Sequence, residues 1–237
     1  MISLIIFEPG IFPGFFMMDV EEVINLLKQK SNPANLAGMA RFGIEINMAL
    51  GIPIPELRKL SKAIKKNHTL ALALWSTGFH EARILASMID DAALVTSKQF
   101  DNWVSDFNSW DLCDQVCGNL FDRTPFAIEK AIALCSANDE FTKRAGFVLM
   151  AEFAVHDKTA KDSLFIDLLP IIEREAWDGR NFVKKAINWA LRQIGKRNNA
   201  LNIAAIETAN RILLQNNKPA KWIASNAISE LTKKTFS

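Results

Sequence analysis

The chain has 237 residues and a formal net charge of +2, with 49% hydrophobic and 23% charged residues. This balance is typical of a globular protein with a sizeable core and excludes an intrinsically disordered chain. Its three cysteines, Cys113, Cys117 and Cys135, have no paired spacing and no zinc ligands at a suitable interval. We therefore predict a protein of the reducing cytoplasm that uses no disulfide, metal or cofactor.

The first seventeen residues are apolar but are interrupted by Glu8 and Pro9. They lack the basic start and the unbroken apolar run of a secretory signal, and a membrane-spanning helix needs about 20 apolar residues. The acidic run at 19–22 (DVEE) is typical of a helix N-terminus. We expect residues 1–17 to be a disordered or extraneous leader, and residues 18–237 to form a single domain that makes no membrane contact.

The rest of the chain has the periodicity of helices. Apolar residues recur at intervals of three and four, as at Leu70 and Leu74 or at Phe147, Met150 and Phe153. Short clusters of Gly, Pro, Asn, Asp, Ser and Thr interrupt the pattern at 31–33, 51–55, 90–91, 124–125, 138–139, 177–179 and 216–219. The sequence thus predicts an all-α protein whose helices are separated by short turns.

Four of these helices open alike, with a basic residue near the start and small and apolar residues after it. The basic residues Arg83, Arg144, Lys185 and Lys221 are 61, 41 and 36 apart, with a further turn signal inside the longest interval. Periods near 40 built from helix pairs indicate HEAT-type repeats. A compact helix bundle is the alternative, but it has no shared concave face for a recurring basic position to line. We predict a curved, HEAT-like helical-repeat solenoid with a basic concave face.

Charge is distributed unevenly along the chain. Residues 1–140 contain 12 Lys and Arg against 17 Asp and Glu, whereas residues 141–237 contain 16 against 9. A basic C-terminal part points to an anionic partner. The alternative is a solvated face on which basic residues cluster by chance.

The stretch 108–115 (NSWDLCDQ) has the most unusual local sequence in the chain. Asn108 or Ser109 can cap a helix, and Trp110 and Asp114 then lie one turn apart on the same face. A carboxylate next to an aromatic ring suits a cationic substrate, because aromatic faces attract cations.

Later repeats place Arg144 and Trp189 in positions equivalent to this pair, so all four side chains could share one site. The alternative is that both tryptophans, Trp110 and Trp189, pack in the core. In that case Asp111 and Asp114 are solvated acids of a first helical turn.

Several stretches in order along the chain resemble the AlkD-like DNA alkylation-repair family. They are residues 109–114 (SWDLCD), 143–145 (KRA) and 182–192 (FVKKAINWALR), and 51–58 (GIPIPELR) and 80–83 (HEAR) fit the same family. The likeness covers roughly residues 20–235.

This resemblance implies a HEAT-like repeat glycosylase that removes positively charged N3- or N7-alkylated purines from duplex DNA without flipping the base. It implies that Asp114 is the catalytic carboxylate and that Trp110 and Trp189 line the lesion site. Arg144, beside the carboxylate, would hold the DNA backbone. We expect a monomer whose partner is double-stranded DNA containing alkylated bases.

Further basic residues lie at or near helix ends of successive repeats and suit contacts with DNA phosphates. The predicted DNA-binding residues are Arg83, Lys143, Lys184, Lys185, Arg192 and Lys221. The alternative for such residues is routine capping of helix C-termini.

The sequence departs from the family pattern at Ser109 and Phe141, where family members commonly have tryptophan, and at Cys113 and Gln115 near the predicted carboxylate. Two rivals to a glycosylase therefore stay open. One is a non-catalytic module that binds damaged or branched DNA, and the other is a protein–protein scaffold.

Overall fold

A computed structural model describes residues 18–236, which form thirteen α-helices and two short 3-10 helices and contain no strand. The α-helices are α1 (Val20–Gln29), α2 (Leu36–Arg41), α3 (Ile54–Ile64), α4 (His68–Ser76), α5 (His80–Ile89), α6 (Ser97–Ser105), α7 (Trp110–Asn119), α8 (Ala127–Leu134), α9 (Glu140–His156), α10 (Asp162–Glu175), α11 (Asn181–Gly195), α12 (Asn199–Leu214) and α13 (Lys218–Leu231). The 3-10 helices are Pro33–Asn35 and Phe121–Arg123. The all-α prediction is confirmed, and the predicted leader lies outside the described residues.

Six of the described α-helices begin at a short polar side chain that accepts from a free N–H group of the first turn: α1, α4, α6, α9, α12 and α13. At α1, the Asp19 carboxylate accepts from the Glu22 N–H at 2.9 Å and the Glu22 carboxylate accepts from the Asp19 N–H at 3.0 Å. This reciprocal pair is a capping box, and it explains the acidic run at 19–22. Asp139 caps α9 by accepting from the Thr142 N–H at 2.8 Å, which places the first turn of the longest helix.

Five helices, α5, α7, α9, α11 and α13, form a row in which each packs on the next. The helices α4, α8, α10 and α12 pack beside members of this row as the outer partners of helix pairs. The row helices start 30, 30, 41 and 37 residues apart. The longest sequence interval, between Arg83 and Arg144, therefore spans two repeats, because α7 begins inside it. The prediction of a helical-repeat solenoid is confirmed.

The segment between α2 and α3 contacts two members of this row. The Trp110 indole Nε1 on α7 donates to the Phe42 carbonyl oxygen at 2.9 Å. Gly43, at φ +76°, packs against the Phe182 ring of α11 so closely that an added Cβ would lie 2.7 Å from Cζ. The segment that contains Phe42 and Gly43 thus packs against both α7 and α11.

A single hydrophobic core runs from Val23 to Leu231 along the described part of the chain. Small residues let the helices approach within it, as at Gly146, where a Cβ would stand 2.8 Å from the Ala131 carbonyl oxygen. No helix within residues 18–236 combines the length and the apolar character needed to cross a bilayer.

Candidate active site

Asp114 and Arg144 form a bidentate ion pair between α7 and α9. Nε of Arg144 donates to Asp114 Oδ1 at 2.9 Å, and Nη2 donates to Oδ2 at 2.8 Å. The remaining nitrogen, Nη1, donates to the Phe182 carbonyl oxygen of α11 at 2.6 Å. Arg144 is 5% exposed, so its guanidinium joins three helices of the row from a buried position.

Burial and pairing act in opposite directions on this pair. Burial raises the pKa of Asp114, and the positive charge of Arg144 opposes that shift. Burial also works against the charge of Arg144, but the carboxylate outweighs it and raises the pKa of the guanidinium. Because a guanidinium never loses its proton in proteins and grips both carboxylate oxygens, Asp114 is held as an anion at neutral pH.

Asp114 opens onto a cleft of about 580 Å³ that Trp110 and Trp189 also line. Both indoles are partly exposed, and the guanidinium carbon of Arg144 lies 5.9 Å from the Trp110 ring centre. Apolar side chains from the N-terminal half form the facing wall: Met39, Ile44, Ile52, Ile54 and Ile84. The four residues singled out in the sequence therefore meet in one place, and neither tryptophan is a fully buried core residue.

Two further carboxylates that line the cleft form hydrogen bonds within the protein. Glu81, which is 1% exposed, accepts from the backbone N–H groups of Leu50, Gly51 and Ile52 at 2.8, 2.7 and 3.2 Å and so anchors the segment before α3. Asp111 lies 2.9 Å from Nε2 of the buried His80. Asp111 is therefore not the solvated acid that the alternative interpretation required.

His80 and Asp111 each favour the charged form of the other. Burial alone would raise the pKa of Asp111, but the hydrogen bond and charge of His80 outweigh burial and lower it. Burial likewise disfavours the protonated imidazole, yet Asp111 raises the pKa of His80 above its usual value. This buried contact therefore engages the Asp111 carboxylate within the protein.

Glu152, on α9 two turns after Arg144, lines the same cleft, and the sequence analysis did not identify it. Burial raises its pKa to about 7, and the negative charges of Asp122 and Asp114 add to the shift against the opposing charges of His156 and Arg123. The sequence does contain a signal for it. Residues 145–151 are uniformly small or apolar, and Glu152 is the first charged residue after Arg144.

Lys143 does not occupy the predicted DNA-binding position. Its Nζ is 2.7 Å from Glu175 Oε2 and 3.0 Å from Asp178 Oδ2, and the residue is 3% exposed. Arg174 and Arg180 complete this network by pairing with Glu175 and Asp178 respectively. Because the ammonium is buried between two carboxylates, Lys143 ties α9 to the α10–α11 connection and cannot reach a phosphate in this structure.

Arg83 and Arg192 are also engaged within the chain. Nη2 of Arg83 lies 3.3 Å from Asp106 Oδ2, and its guanidinium carbon lies 5.2 Å from the Trp75 ring centre. Arg192 pairs with Glu230 of α13. Both arginines therefore link neighbouring repeats, although each keeps part of its surface exposed.

Three predicted lysines lie on or near the surface. Lys185 is exposed and borders a smaller hollow together with Phe42, Phe182 and Trp110, next to the candidate site. Lys221 is exposed on α13. Lys184 is half-buried, with its Nζ 4.9 Å from the Trp222 ring centre. Of the six predicted DNA-binding residues, these three have charged groups that are the most accessible or the least engaged in contacts within the protein.

The cysteines and other candidate metal ligands form no centre. Cys113, Cys117 and Cys135 are free and buried, and burial raises the pKa of Cys117 and of Cys135, which favours the neutral thiol. Within residues 18–236, no three His, Cys, Asp or Glu side chains are arranged to hold a metal ion.

A protein-family model described as "DNA alkylation repair enzyme" matches residues 23–231 of the chain. The chain belongs to this family. A solved structure is similar to it over 90% of this chain and 95% of the other chain, with a TM-score of 0.75 and 20% sequence identity. That structure is described as "a new family of proteins related to the HEAT-like repeat DNA glycosylases with affinity for branched DNA structures". A search of curated proteins gives no significant match.

The similarity to the solved structure supports the fold of this DNA alkylation repair family member. At 20% sequence identity it supports the fold alone. The family match supports a role on DNA and confirms the resemblance found in the sequence. In this family member, Trp110, Trp189 and Asp114 line one cleft, and Arg144 holds the carboxylate.

Proposed function

We propose that this protein is a DNA glycosylase that binds duplex DNA and excises cationic N3- and N7-alkylated purines by hydrolysing the N-glycosidic bond. One observation carries the proposal: a carboxylate held as an anion by Arg144 opens onto a cleft lined by Trp110 and Trp189. The family match agrees with it, because it assigns the chain to DNA alkylation repair enzymes.

The chemistry requires an anion more than an acid. An alkylated purine already carries a positive charge, so it departs as a neutral base and needs no proton from the enzyme. As the bond breaks, positive charge moves onto the sugar, and a fixed carboxylate such as Asp114 stabilises that charge in a partly desolvated site. The same carboxylate can orient the water that attacks the sugar carbon and accept its proton.

The two indoles supply recognition of the cation. The faces of Trp110 and Trp189 attract a positively charged purine more strongly than a neutral one. Trp110 is fixed for this role by its hydrogen bond to the Phe42 carbonyl, which leaves its ring at the edge of the cleft. Discrimination of damaged from normal bases then follows from charge.

Arg144 has a different role in this proposal from the one that the family resemblance implies. All of its nitrogens donate to Asp114 or to the Phe182 carbonyl, so we assign it as a positioning residue for the carboxylate. DNA backbone contacts are assigned instead to Lys185 next to the site and to Lys184 and Lys221 further along the row. Such contacts give affinity without sequence preference.

Base release from methylated duplex DNA tests the proposal. The wild-type chain is expected to release 3-methyladenine or 7-methylguanine, and Asp114→Asn is expected to release neither. Asp167→Asn is a matched control, because Asp167 is an exposed carboxylate on α10 outside the cleft. Release by Asp114→Asn at the wild-type rate would contradict the assignment of Asp114.

A second candidate is a non-catalytic module that binds damaged or branched DNA. The description of the structurally similar protein and the serine at position 109 favour it. This candidate predicts salt-dependent binding to branched or damaged duplexes but no base release under any condition. A scaffold for other proteins predicts neither, so DNA binding measured between low and moderate salt separates all three.

A further inference from the structure

The carboxylates of the cleft differ in what holds them. Asp114 is bound by Arg144, Asp111 by His80, and Glu81 by three backbone N–H groups. Glu152 makes no hydrogen bond among the described residues, and its ion-pair contact, with Nε2 of His156, is 3.7 Å long. Its side chain is 16% exposed. This carboxyl, which makes no hydrogen bond among the described residues, is therefore largely desolvated but still lines the cleft.

We propose that Glu152 is a second ligand-binding residue of the cleft, which pairs with a planar cationic base lying between it and the indoles of Trp110 and Trp189. This inference rests on the proposed function and deepens it, because it assigns recognition of the charged base to Glu152 and stabilisation of the sugar to Asp114. A planar monocation fits because the cleft combines two aromatic faces with a carboxylate that accepts no hydrogen bond among the described residues and whose ion-pair contact, with His156, is 3.7 Å long.

The surroundings explain why Glu152 can switch between neutral and charged forms. Its neighbours include His156 on its own helix, Asp122 and Arg123 on the 3-10 helix, and Asp114 on α7. Gly118 of α7 lies against the carboxyl group, and an added Cβ there would stand 2.7 Å from Oε1. Burial together with the two aspartates favours the neutral form, whereas His156 and Arg123 favour the charged form.

A pKa of about 7 for the free protein predicts how binding changes with pH. If only the charged form of Glu152 holds the cation, apparent affinity is reduced by the fraction of protein that is protonated. Between pH 6 and pH 8 the charged fraction rises about tenfold, so the affinity for a permanent cation rises about tenfold.

Calorimetric titration of the full chain with N-methylquinolinium tests the inference at pH 6, 7 and 8. This ion is planar and permanently charged, so any pH dependence belongs to the protein. The expected result is tighter binding as pH rises, together with a flat profile and weaker binding at pH 8 for Glu152→Gln. Quinoline, which is neutral at these pH values, should bind without either effect.

A control variant and the residual behaviour of Glu152→Gln itself test whether the effect is specific. Glu207→Gln alters an exposed glutamate on α12 and should bind as the wild type does. Glu152→Gln removes only this carboxyl, so any pH dependence that persists in this variant belongs to another group and overturns the inference. Equal affinity of the wild type and Glu152→Gln at pH 8, or no binding of the cation by the wild type, overturns it as well.

Base release measured in parallel separates the two proposals. Release that depends on Asp114, combined with cation binding that ignores Glu152, would reject this inference and leave the glycosylase intact. Cation binding that depends on Glu152, with no base release by any variant, would reject the glycosylase and leave a cation-binding cleft.

Discussion

Arg144 binds both oxygens of Asp114 through Nε and Nη2, at 2.9 and 2.8 Å, so a single guanidinium fixes both the charge and the orientation of the carboxylate. A third hydrogen bond, to the Phe182 carbonyl, ties this pair to α11, which also carries Trp189. The geometry of the proposed catalytic group is therefore set by contacts between repeats, and the next helix in the row holds it in place.

The first prediction concerns Asp114→Asn. Loss of the negative charge removes the stabilisation of the developing sugar cation, and base release should fall by at least about 100-fold. DNA affinity should be kept or slightly improved, because Arg144 is freed and a charge that repels phosphate is lost. Single-turnover base release and equilibrium binding to the same methylated duplex measure the two effects separately. Loss of both together would indicate misfolding, which the helical circular dichroism signal detects.

The second prediction is that Arg144 stabilises the fold as well as the site. Arg144→Ala leaves a buried carboxylate without its partner, and breaking such a pair costs about 3 kcal/mol of unfolding free energy. Urea unfolding should show this loss for the single variant. The double variant Asp114→Asn/Arg144→Ala should lose less unfolding free energy than the sum of the losses in the two single variants. Additive losses would show that the pair is not coupled.

The i, i+4 spacing of Trp110 and Asp114 leaves little freedom in their relative placement once α7 forms, although Ser109 does not cap this helix with its side chain. The sequence does not separate Lys143 from Arg144. These neighbours differ by about 100° around α9, so Arg144 points to α7 and Lys143 to the network of Glu175 and Asp178. Which face of a helix meets which neighbour is decided by tertiary packing, which neither repeat spacing nor local charge reveals.

Glu152 shows the same limit of prediction from sequence, here for a residue that the sequence analysis did not identify. Its position after an apolar run could be read from the sequence, but its altered pKa could not. That shift depends on burial against α7 and on Asp122 and Asp114, which are 30 and 38 residues away along the chain. The packing of α7 and of the 3-10 helix Phe121–Arg123 against α9 brings these groups together.

The third prediction contrasts Lys143 with Lys185. Lys143→Ala leaves Glu175 and Asp178 without their buried cation and should lower the unfolding free energy by about 3 kcal/mol. Lys185→Ala should leave stability unchanged, because Lys185 is exposed and no ion pair is found for it among the described residues. Its effect should appear in DNA binding, where the slope of log affinity against log salt should become shallower by about 0.9.

Denaturant unfolding and salt titration of both variants therefore give opposite patterns. A lysine that contacts phosphate changes the salt dependence, whereas a buried structural lysine changes stability. A stable Lys143→Ala protein with a shallower salt slope would restore Lys143 to the DNA-binding surface and would require its ammonium to leave the carboxylates.

The fourth prediction is that Glu152→Gln stabilises the protein at alkaline pH. A carboxyl whose folded pKa is about 7, against 4.5 in an ordinary environment, favours folding only while it is protonated. Stability from this group is fully present below the unfolded pKa of 4.5 and is lost as pH rises through about 7. The fully developed loss is about 3 kcal/mol.

Urea unfolding of the wild type and of Glu152→Gln at pH 4.5, 6, 7 and 8 measures this loss directly. The two proteins should have nearly the same unfolding free energy at pH 4.5, and the glutamine variant should become progressively more stable as pH rises. Glu207→Gln, at an exposed position, should follow the wild type throughout. A constant difference between the wild type and Glu152→Gln at every pH would mean that Glu152 ionises as an ordinary glutamate. A carboxylate that lowers stability at the pH where the protein works is the pattern expected of a residue kept for binding.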